Sequence, residues 1–290
     1  MKSFTTLRNL YGSLSNNIET ANLTLGDQLI NDGIRNIITM PQDWDFLEAT
    51  KTDTTVANQQ AYQLPHNVDK IATVTVTVGS SVYPVAEATS RLFWNQLNVT
   101  TFTSTYPEYY YIDGGNLNLY PIPADNNQTI TYDYKKAVRD LSNADYTTGT
   151  VSLTNASTTV TGSGTTFTAS MADRWIKGNL DNFWYEINAF TSTTVVVLRK
   201  QWQGATTAGL SYTIGEMPVL PEAYHQLPVF YAVSQYWFQN GDNVRGREYE
   251  RMFDEGIAKL ISDHGTKTTS MVVDDGEGYS IINPNLLITF

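Results

Sequence analysis

Apolar residues recur three or four positions apart at the start of the chain, which is typical of amphipathic helices. The first such stretch covers residues 4–18. A second helix is predicted to begin at Thr24, because Thr24 and Asp27 have the spacing of a capping box. Pro41 lacks a backbone donor and is expected to end this helix.

The same helical spacing returns after residue 220. It predicts a helix over 221–239 that begins at Pro221 and is kinked by Pro228. A last helix is predicted over 244–264, with Gly265 as its C-cap. The chain therefore has helical segments on both sides of a long central region.

The central region begins with a pattern of strands. Apolar and threonine residues alternate over 71–78, "IATVTVTV", which predicts a strand with one buried and one wet face. The segment 107–123 predicts a hairpin, because Asp113-Gly114-Gly115 is a strong turn signal at its centre. Residues 129–134 alternate again and predict a further strand.

Residues 145–215 differ in composition from their surroundings. They contain 22 Ser and Thr among 71 residues and only eight charged residues, which favours a small β-sandwich or barrel. We predict five strands, at 150–154, 158–161, 184–187, 194–198 and 211–214. The sequences on either side join into one continuous strand, turn and helix pattern, so we interpret 145–215 as an insert in a surface loop.

The predicted fold class is therefore α+β. It comprises a helical bundle with an antiparallel β part, and an inserted all-β module that resembles a sandwich or barrel. We expect a core formed by 1–144 and 216–270, an inserted domain at 145–215, and an extended C-terminal arm at 271–290.

Composition narrows the possible functions. The chain has 290 residues, which is enough for a large core, and it contains no cysteine. Disulfides, thiolate metal sites and cysteine nucleophiles are thereby excluded. A net charge of −11 is unfavourable for non-specific binding to nucleic acid. No apolar run is long enough to cross a membrane, and the first residues do not resemble a signal peptide.

Motifs for catalysis or metal binding are not recognisable, so we expect no catalytic residue, metal or cofactor. The histidines have no ligand-like spacing to one another and are expected at the polar surface: His66, His225 and His264. Two carboxylate pairs could serve a glycosidase, but such pairs occur readily in a chain with 29 acidic residues. They are Asp43 with Asp45, and Asp181 with Glu186.

Clusters of aromatic residues allow two interpretations. Tyr109–Tyr111, or Trp175 with Phe183 and Trp184, could stack against sugar rings. Aromatic residues are also typical of sheet cores and of protein interfaces. Since the sequence shows no set of polar residues converging on either cluster, we favour core and interface roles.

The last residues form the clearest interaction signal. An acidic, Gly-rich lead-in is followed by the apolar ending "IINPNLLITF". An exposed apolar segment of this kind is typical of one that docks on a partner's sheet or groove. We predict that this segment is an arm that reaches a neighbouring subunit or ring through six residues: Ile281, Ile282, Leu286, Leu287, Ile288 and Phe290.

Several segments, taken in order, resemble the head-to-tail connector (adaptor) proteins of tailed bacteriophages. They are "TLGDQLINDGIRNII", "DWDFL", "YQLPHNVDKIATVTV", "YPEYYYIDGGNLNLYPIP", "ITYDYKKAVRDLSNAD" and "LPEAYHQLPVFYAV". The resemblance covers about 1–144 and 216–265, and the tyrosine-rich hairpin is its most specific part. The insert is not found in the simplest members of that family.

The resemblance implies a structural virion protein that is not an enzyme. It implies an oligomeric ring, usually dodecameric, that binds the portal, joins it to the tail and continues the channel for DNA ejection. DNA would pass without specific binding. Such a protein is made in the bacterial host cytoplasm and resides at the head–tail junction. The alternative is another phage tail component whose β insert binds host glycans.

Overall fold

The computed structural model describes residues 1–180 and 183–265, together with two short strands between 271 and 282. Within these residues the fold is α+β, as predicted, with five α-helices and several mostly antiparallel sheets. The chain divides into two compact units. Trp44–Arg139 forms the first, which we call the β unit, and Met1–Asp43 with the chain from Asp140 onward forms the helical unit.

The described residues contain five α-helices. They are α1 (Phe4–Leu14), α2 (Thr20–Ile38), α3 (Arg91–Leu97), α4 (Leu227–Gln239) and α5 (Asn243–His264). In the helical unit, α4 packs against α2 and α5, and α1 packs against α2. None of the helices in the described part of the chain has the length and apolarity needed to span a membrane.

Close packing of α1 on α2 depends on a glycine. A Cβ atom placed on Gly26 would lie 2.3 Å from the ring of Tyr11, which is fully buried. The tyrosine hydroxyl in turn donates to the side chain of Asn22 over 3.2 Å. Gly26 therefore provides the space that lets a large aromatic side chain lie between the two helices.

The start of α2 differs from the prediction. The helix begins at Thr20, and the Thr24 hydroxyl donates to the Thr20 carbonyl oxygen over 2.9 Å, so Thr24 lies inside the helix. Asp27 faces α1 and pairs with Arg8 at 3.1 Å. The predicted Thr24–Asp27 capping box was therefore wrong, because the Thr24 hydroxyl donates to a carbonyl oxygen of the helix and Asp27 pairs with a residue of another helix.

The predicted end of α1 was also too late. The helix ends at Leu14, and Asn16 adopts a left-handed conformation with φ of 52°. The chain turns there, and Ile18 is left 78% exposed, off the apolar face to which its spacing assigned it.

Pro228 does not kink a long helix. Glu222–Tyr224 forms a separate 3₁₀ turn, and α4 begins only at Leu227. Pro228 thus lies in the first turn of α4, where its missing N–H leaves no hydrogen bond unmade. The helix predicted over 221–239 is two elements, and the proline marks the start of the second.

The β unit contains ten strands. They are β1 (Glu48–Thr54), β2 (Ala61–Gln63), β3 (Val68–Val78), β4 (Ser81–Pro84), β5 (Ala86–Glu87), β6 (Thr103–Ser104), β7 (Tyr109–Asp113), β8 (Asn116–Tyr120), β9 (Ile122–Pro123) and β10 (Thr129–Lys136). Two four-stranded sheets have the orders β1-β10-β3-β4 and β2-β8-β7-β5, and β6 pairs with β9. The apolar faces of the two larger sheets contribute to one core.

Two strand predictions in the β unit are confirmed. β3 buries Val74 and Val76, while its threonines lie on the wetter face. β7 and β8 form the predicted hairpin, with Gly114 and Gly115 at φ of 58° and 78°. Positive φ at both turn residues is typical of the type I′ turn, which glycine adopts without strain.

The inserted strands form one seven-stranded antiparallel sheet. They are β11 (Thr150–Leu153), β12 (Thr159–Ser163), β13 (Trp175–Gly178), β14 (Tyr185–Ser192), β15 (Val195–Leu198), β16 (Thr207–Leu210) and β17 (Tyr212–Gly215). Their order is β16-β11-β12-β15-β14-β13-β17. Five correspond to predicted strands, whereas β13 and β16 were not predicted.

The inserted sheet curls into a half-barrel. Its two outermost strands, β16 and β17, are separated in the chain by Ser211 alone, so the sheet must bend until its two edges approach each other. Trp202 is 2% exposed within the enclosed core, and its indole N–H donates to the Ala205 carbonyl oxygen over 3.2 Å. The inserted sheet therefore has a hydrophobic core of its own.

Beyond α5 the structure describes a two-stranded antiparallel hairpin. It consists of β18 (Met271–Asp274) and β19 (Tyr279–Ile282). The predicted extended arm over 271–290 thus includes a hairpin in its first part, and residues 283–290 lie outside the described residues.

The chain passes between the helices and the insert at two places, which we call the crossings, and hydrogen bonds join these two segments directly. Tyr146, where the chain enters, and Ile214, where it leaves, exchange two backbone hydrogen bonds of 2.8 Å. The buried Arg174 guanidinium donates to the Ala144 carbonyl oxygen at 2.7 Å and to that of Ile214 at 3.3 Å. Arg174 thus bridges both crossings.

Acidic side chains complete this connection. The Glu216 carboxylate accepts the backbone N–H groups of Ser142 and Asn143 at 2.8 and 2.7 Å. Asp145 accepts the Ser3 hydroxyl at 2.9 Å, just before α1. Together with Arg174 we call Ser3, Asp145 and Glu216 the crossing cluster.

The buried guanidinium of Arg174 depends on the two carboxylates of the crossing cluster. Burial lowers the pKa of the Arg174 guanidinium, and the carboxylates of Glu216 and Asp145 oppose that shift. A buried cation is costly unless it is paired and hydrogen-bonded. The two carbonyl oxygens and the two carboxylates therefore jointly offset the desolvation of Arg174.

Replacing Arg174 with methionine should destabilise the helical unit by about 3 kcal/mol, because it leaves the crossing carboxylates without their buried cation. Urea unfolding, followed by circular dichroism, measures this loss. Arg251→Met is the matched control, since Arg251 forms an exposed pair with Glu255 at 3.0 Å and its loss should cost less than about 1 kcal/mol. Equal stability of the two variants would contradict the role of the crossing cluster.

Candidate functional site

The six residues predicted to form an interface are only partly described. Ile281 and Ile282 lie in β19, where their backbones pair with Val272 and Met271 of β18. The other four lie outside the described residues: Leu286, Leu287, Ile288 and Phe290. Their role as an interface stays a prediction.

The histidines do not converge on a site. Among the described residues, no group of three His, Asp or Glu side chains is placed to hold a metal ion. His225 was expected at the polar surface, but it is 1% exposed. Its Nε2 lies 3.0 Å from the Leu220 carbonyl oxygen, and its Nδ1 accepts the Lys2 backbone N–H at 3.2 Å. It therefore ties the first residues to the turn before α4.

Burial lowers the pKa of His225, and the nearby N-terminal ammonium and Lys2 lower it further. The carbonyl oxygens of Leu220 and Lys2, at 3.0 and 3.2 Å from the ring nitrogens, act in the opposite direction. His225 is thus a buried ring held by backbone groups from two parts of the chain, which is a structural role.

The surroundings of the two candidate carboxylate pairs are described to different extents. Asp43 and Asp45 flank Trp44, whose side chain is 1% exposed and therefore offers no open surface for a sugar. Asp181 lies outside the described residues, so the structure does not test its pairing with Glu186.

The tyrosine cluster of β7 belongs to the packing of the β unit. Tyr110 points into the core and is 4% exposed. On the opposite face, the Tyr111 ring stacks on Trp94 with centroids 5.6 Å apart, and the Tyr109 ring contacts Phe93 edge-on at 5.4 Å. The core interpretation is therefore confirmed for Tyr110, whereas Tyr109 and Tyr111 pack on α3 and an interface role for them stays a prediction.

The second aromatic cluster is different, because it lines an open cleft on the insert. Trp175, Phe183 and Trp184 border a cavity of about 400 Å³, and Phe183 is 72% exposed. Polar and charged residues that the sequence did not place there share the lining: Glu186, Arg199, Lys200 and Gln203. We call this feature the aromatic cleft.

A further candidate surface is the edge of a sheet in the β unit. β4 is the outermost strand of its four-stranded sheet, and all four of its residues are exposed. Val82 is 62% exposed, and the ring of Tyr83 packs against Tyr106 with centroids 4.6 Å apart. An edge strand with unpaired backbone groups and apolar side chains is suited to pairing with another chain.

The opposite edge of the same sheet, formed by β1, is charged. β1 carries charged residues along its length, and Lys51 lies 3.9 Å from Asp53. Charged side chains on an edge strand discourage pairing with a second sheet. The two edges of this sheet therefore differ, and only the β4 edge has an apolar, exposed surface.

The β4 edge and the basic residues of the aromatic cleft could not be predicted from the sequence, for the same reason. The position of β4 at the edge depends on strand order, which alternation along the chain does not reveal. Arg199 and Lys200 are distant in sequence from Trp175, and only the pairing of β13, β14 and β15 brings them together. The sequence signal for Arg199 and Lys200 is that basic residues are rare in the insert and these two are adjacent.

Comparison with known proteins bears on the first half of the chain. Residues 4–157, more than half of the 290, match the family model described as SU10 adaptor protein. The match spans α1, α2, the β unit and β11, whereas α4 and α5 lie outside it. No significant relative of the chain was found among curated protein sequences.

This family is one of phage structural adaptors and is not a known class of enzyme. It implies a location in the virion and contacts with portal and tail proteins. The chain therefore belongs to the SU10 adaptor protein family of phage head–tail adaptors.

Proposed function

We propose that the chain forms a closed ring, expected to be dodecameric, that joins the portal to the tail at the head–tail junction and continues the DNA channel. Its match to an adaptor family over residues 4–157 is the observation that carries this proposal. In functional terms, 1–144 with 216–270 would form the adaptor core, 145–215 an attached domain, and 271–290 a connecting arm. The protein would be made in the host cytoplasm and act in assembly and DNA ejection.

A closed ring of identical copies requires two different surfaces on each subunit that bind each other. The β4 edge meets this requirement for one of them, because it is apolar and exposed while the β1 edge is charged. We therefore place one half of the subunit interface at Val82 and Tyr83.

The acidic character of the protein supports a role as a passage for DNA. With a net charge of −11, its surface would repel phosphates and leave DNA free to slide. No specific DNA contact is proposed.

The C-terminal arm supports the proposed contact with the portal or an adjacent subunit. Its apolar end follows an acidic, Gly-rich segment that is suited to act as a tether. The proposed contact residues are the six named above, from Ile281 to Phe290.

Deleting 279–290 should leave the rest of the protein folded, with an unchanged thermal transition, but prevent assembly with the portal. Native mass spectrometry of the mixture with purified portal measures this outcome. A full-length control that neutralises only the lead-in, Asp275→Asn with Glu277→Gln, should assemble normally. Normal assembly of the deletion variant would show that the arm is dispensable.

Placing a charge on the β4 edge should break the contact between subunits. Val82→Lys is expected to remain folded, because Val82 is already 62% exposed, and to lose ring formation as judged by light scattering. Val244→Lys is the matched control, since Val244 is 81% exposed at the start of α5. Rings formed equally by both variants would exclude the β4 edge as an interface.

Duplex DNA should bind the purified protein only weakly, with a dissociation constant of about 10⁻⁴ M or higher. The reason is that few exposed cations are available to displace counterions. Fluorescence anisotropy of labelled DNA at low salt measures this affinity. Saturable binding tighter than about 10⁻⁶ M, weakening steeply as salt is added, would contradict a channel that lets DNA slide.

A further inference from the structure

The aromatic cleft owes its composition to strand register. Trp175 of β13 pairs with Glu186 of β14, and Ile176 pairs with Tyr185. Since neighbouring residues of a strand face opposite sides, Ile176 and Tyr185 point into the core of the insert. Trp175 and Glu186 therefore face outward together.

Large aromatic surfaces lie at this outward face. Phe183 is 72% exposed, and the ammonium of Lys177 lies 5.4 Å from the centroid of the Trp184 ring. The core of the insert is already filled by other residues, including Trp202. These rings are thus available to a flat apolar surface, such as the C–H face of a sugar ring.

Polar groups surround the same rings. The Arg199 guanidinium pairs with Glu186 at 2.9 Å and lies 3.9 Å from Asp173. Gln203 is exposed at the rim of the cleft. A carboxylate, a guanidinium and an amide at one cleft provide the acceptors and donors that orient a ligand rich in hydroxyl groups.

The charge of the cleft favours an anionic ligand. Arg174 is buried at the crossings, and the other three basic residues of the insert, Lys177, Arg199 and Lys200, are at or beside the cleft. Lys200 is exposed and forms no ion pair within the described residues. Because Arg199 is already paired with Glu186, Lys200 is the cation of the cleft lining that can pair with a single negative group of a ligand.

We propose that the aromatic cleft binds an acidic saccharide, with a sugar ring stacked on Phe183 and Trp184 and a sugar carboxylate paired with Lys200. The cavity of about 400 Å³ is within the range of small-ligand sites. Single-stranded nucleic acid would be less suitable, because a chain of phosphates needs a row of cations, and among the described lining residues Arg199 is already paired with Glu186, which leaves Lys200. Saccharide binding at this cleft does not require ring formation, because one chain supplies the whole lining.

The full-length protein should bind a galacturonate tetrasaccharide or sialyllactose saturably, as measured by quenching of tryptophan fluorescence and by calorimetry. Phe183→Ala and Lys200→Ala should each weaken that binding by about tenfold or more, which corresponds to about 1.4 kcal/mol. The methyl ester of the tetrasaccharide should bind as weakly to the wild type as the acid binds to Lys200→Ala. Thermal unfolding confirms that each variant is folded.

Two matched variants control for general effects of the substitutions. Phe102→Ala removes a ring that is 55% exposed in the β unit, and Lys70→Ala removes an exposed lysine there, so both should bind as the wild type does. No saturable binding of either carboxylated probe, or equal binding of acid and ester, would overturn the proposal. Tighter binding of oligothymidylate or of a proline-rich peptide would also overturn it, in favour of another ligand class.

Discussion

The arrangement of the helical unit depends on how the insert is held at its two crossings. An insertion within a loop is anchored by two chain segments only, and these would act as a hinge if nothing joined them. In this protein Tyr146 and Ile214 pair as neighbouring strands, and Arg174 donates to carbonyl oxygens of both segments. Glu216 and Asp145 add contacts to the residues that lead into α1. The crossings therefore act as one joint.

This joint has a consequence for an assembly protein. A domain attached by flexible segments would sample many orientations relative to α1, and placing a partner would then carry an entropic cost. Hydrogen bonds from Ser3 to Asp145 and from Phe4 to Glu216 instead fix the insert to the start of the helical unit. The insert can then present its aromatic cleft in a defined direction within that unit.

Sequence patterns predicted those elements whose stability is local. The β7–β8 hairpin followed from two glycines that adopt positive φ, and β3 followed from the alternation of valine and threonine. The periodicity of α5 is also matched, with Phe253, Ile257 and Leu260 buried on one face. In each case the residues that specify the element are close together in the chain.

Features that depend on distant partners were not predictable in this way. Asp27 has the spacing of a cap, yet its partner is Arg8 of another helix. β13 and β16 are short, and neither has a clear alternation of its own. The basic residues of the aromatic cleft join its aromatic residues only when three strands are aligned. The sequence alone therefore favoured core and interface roles for a cluster whose Phe183 is exposed.

Cryo-electron microscopy of the portal vertex, in virions that carry the chain, is the measurement that decides whether this adaptor forms a ring between portal and tail. We expect a closed ring of identical copies in contact with the portal, with the inserted half-barrel resolved in a single orientation on each helical unit. Absence of the chain from that vertex, or its presence there only as isolated copies, would rule out the proposed ring.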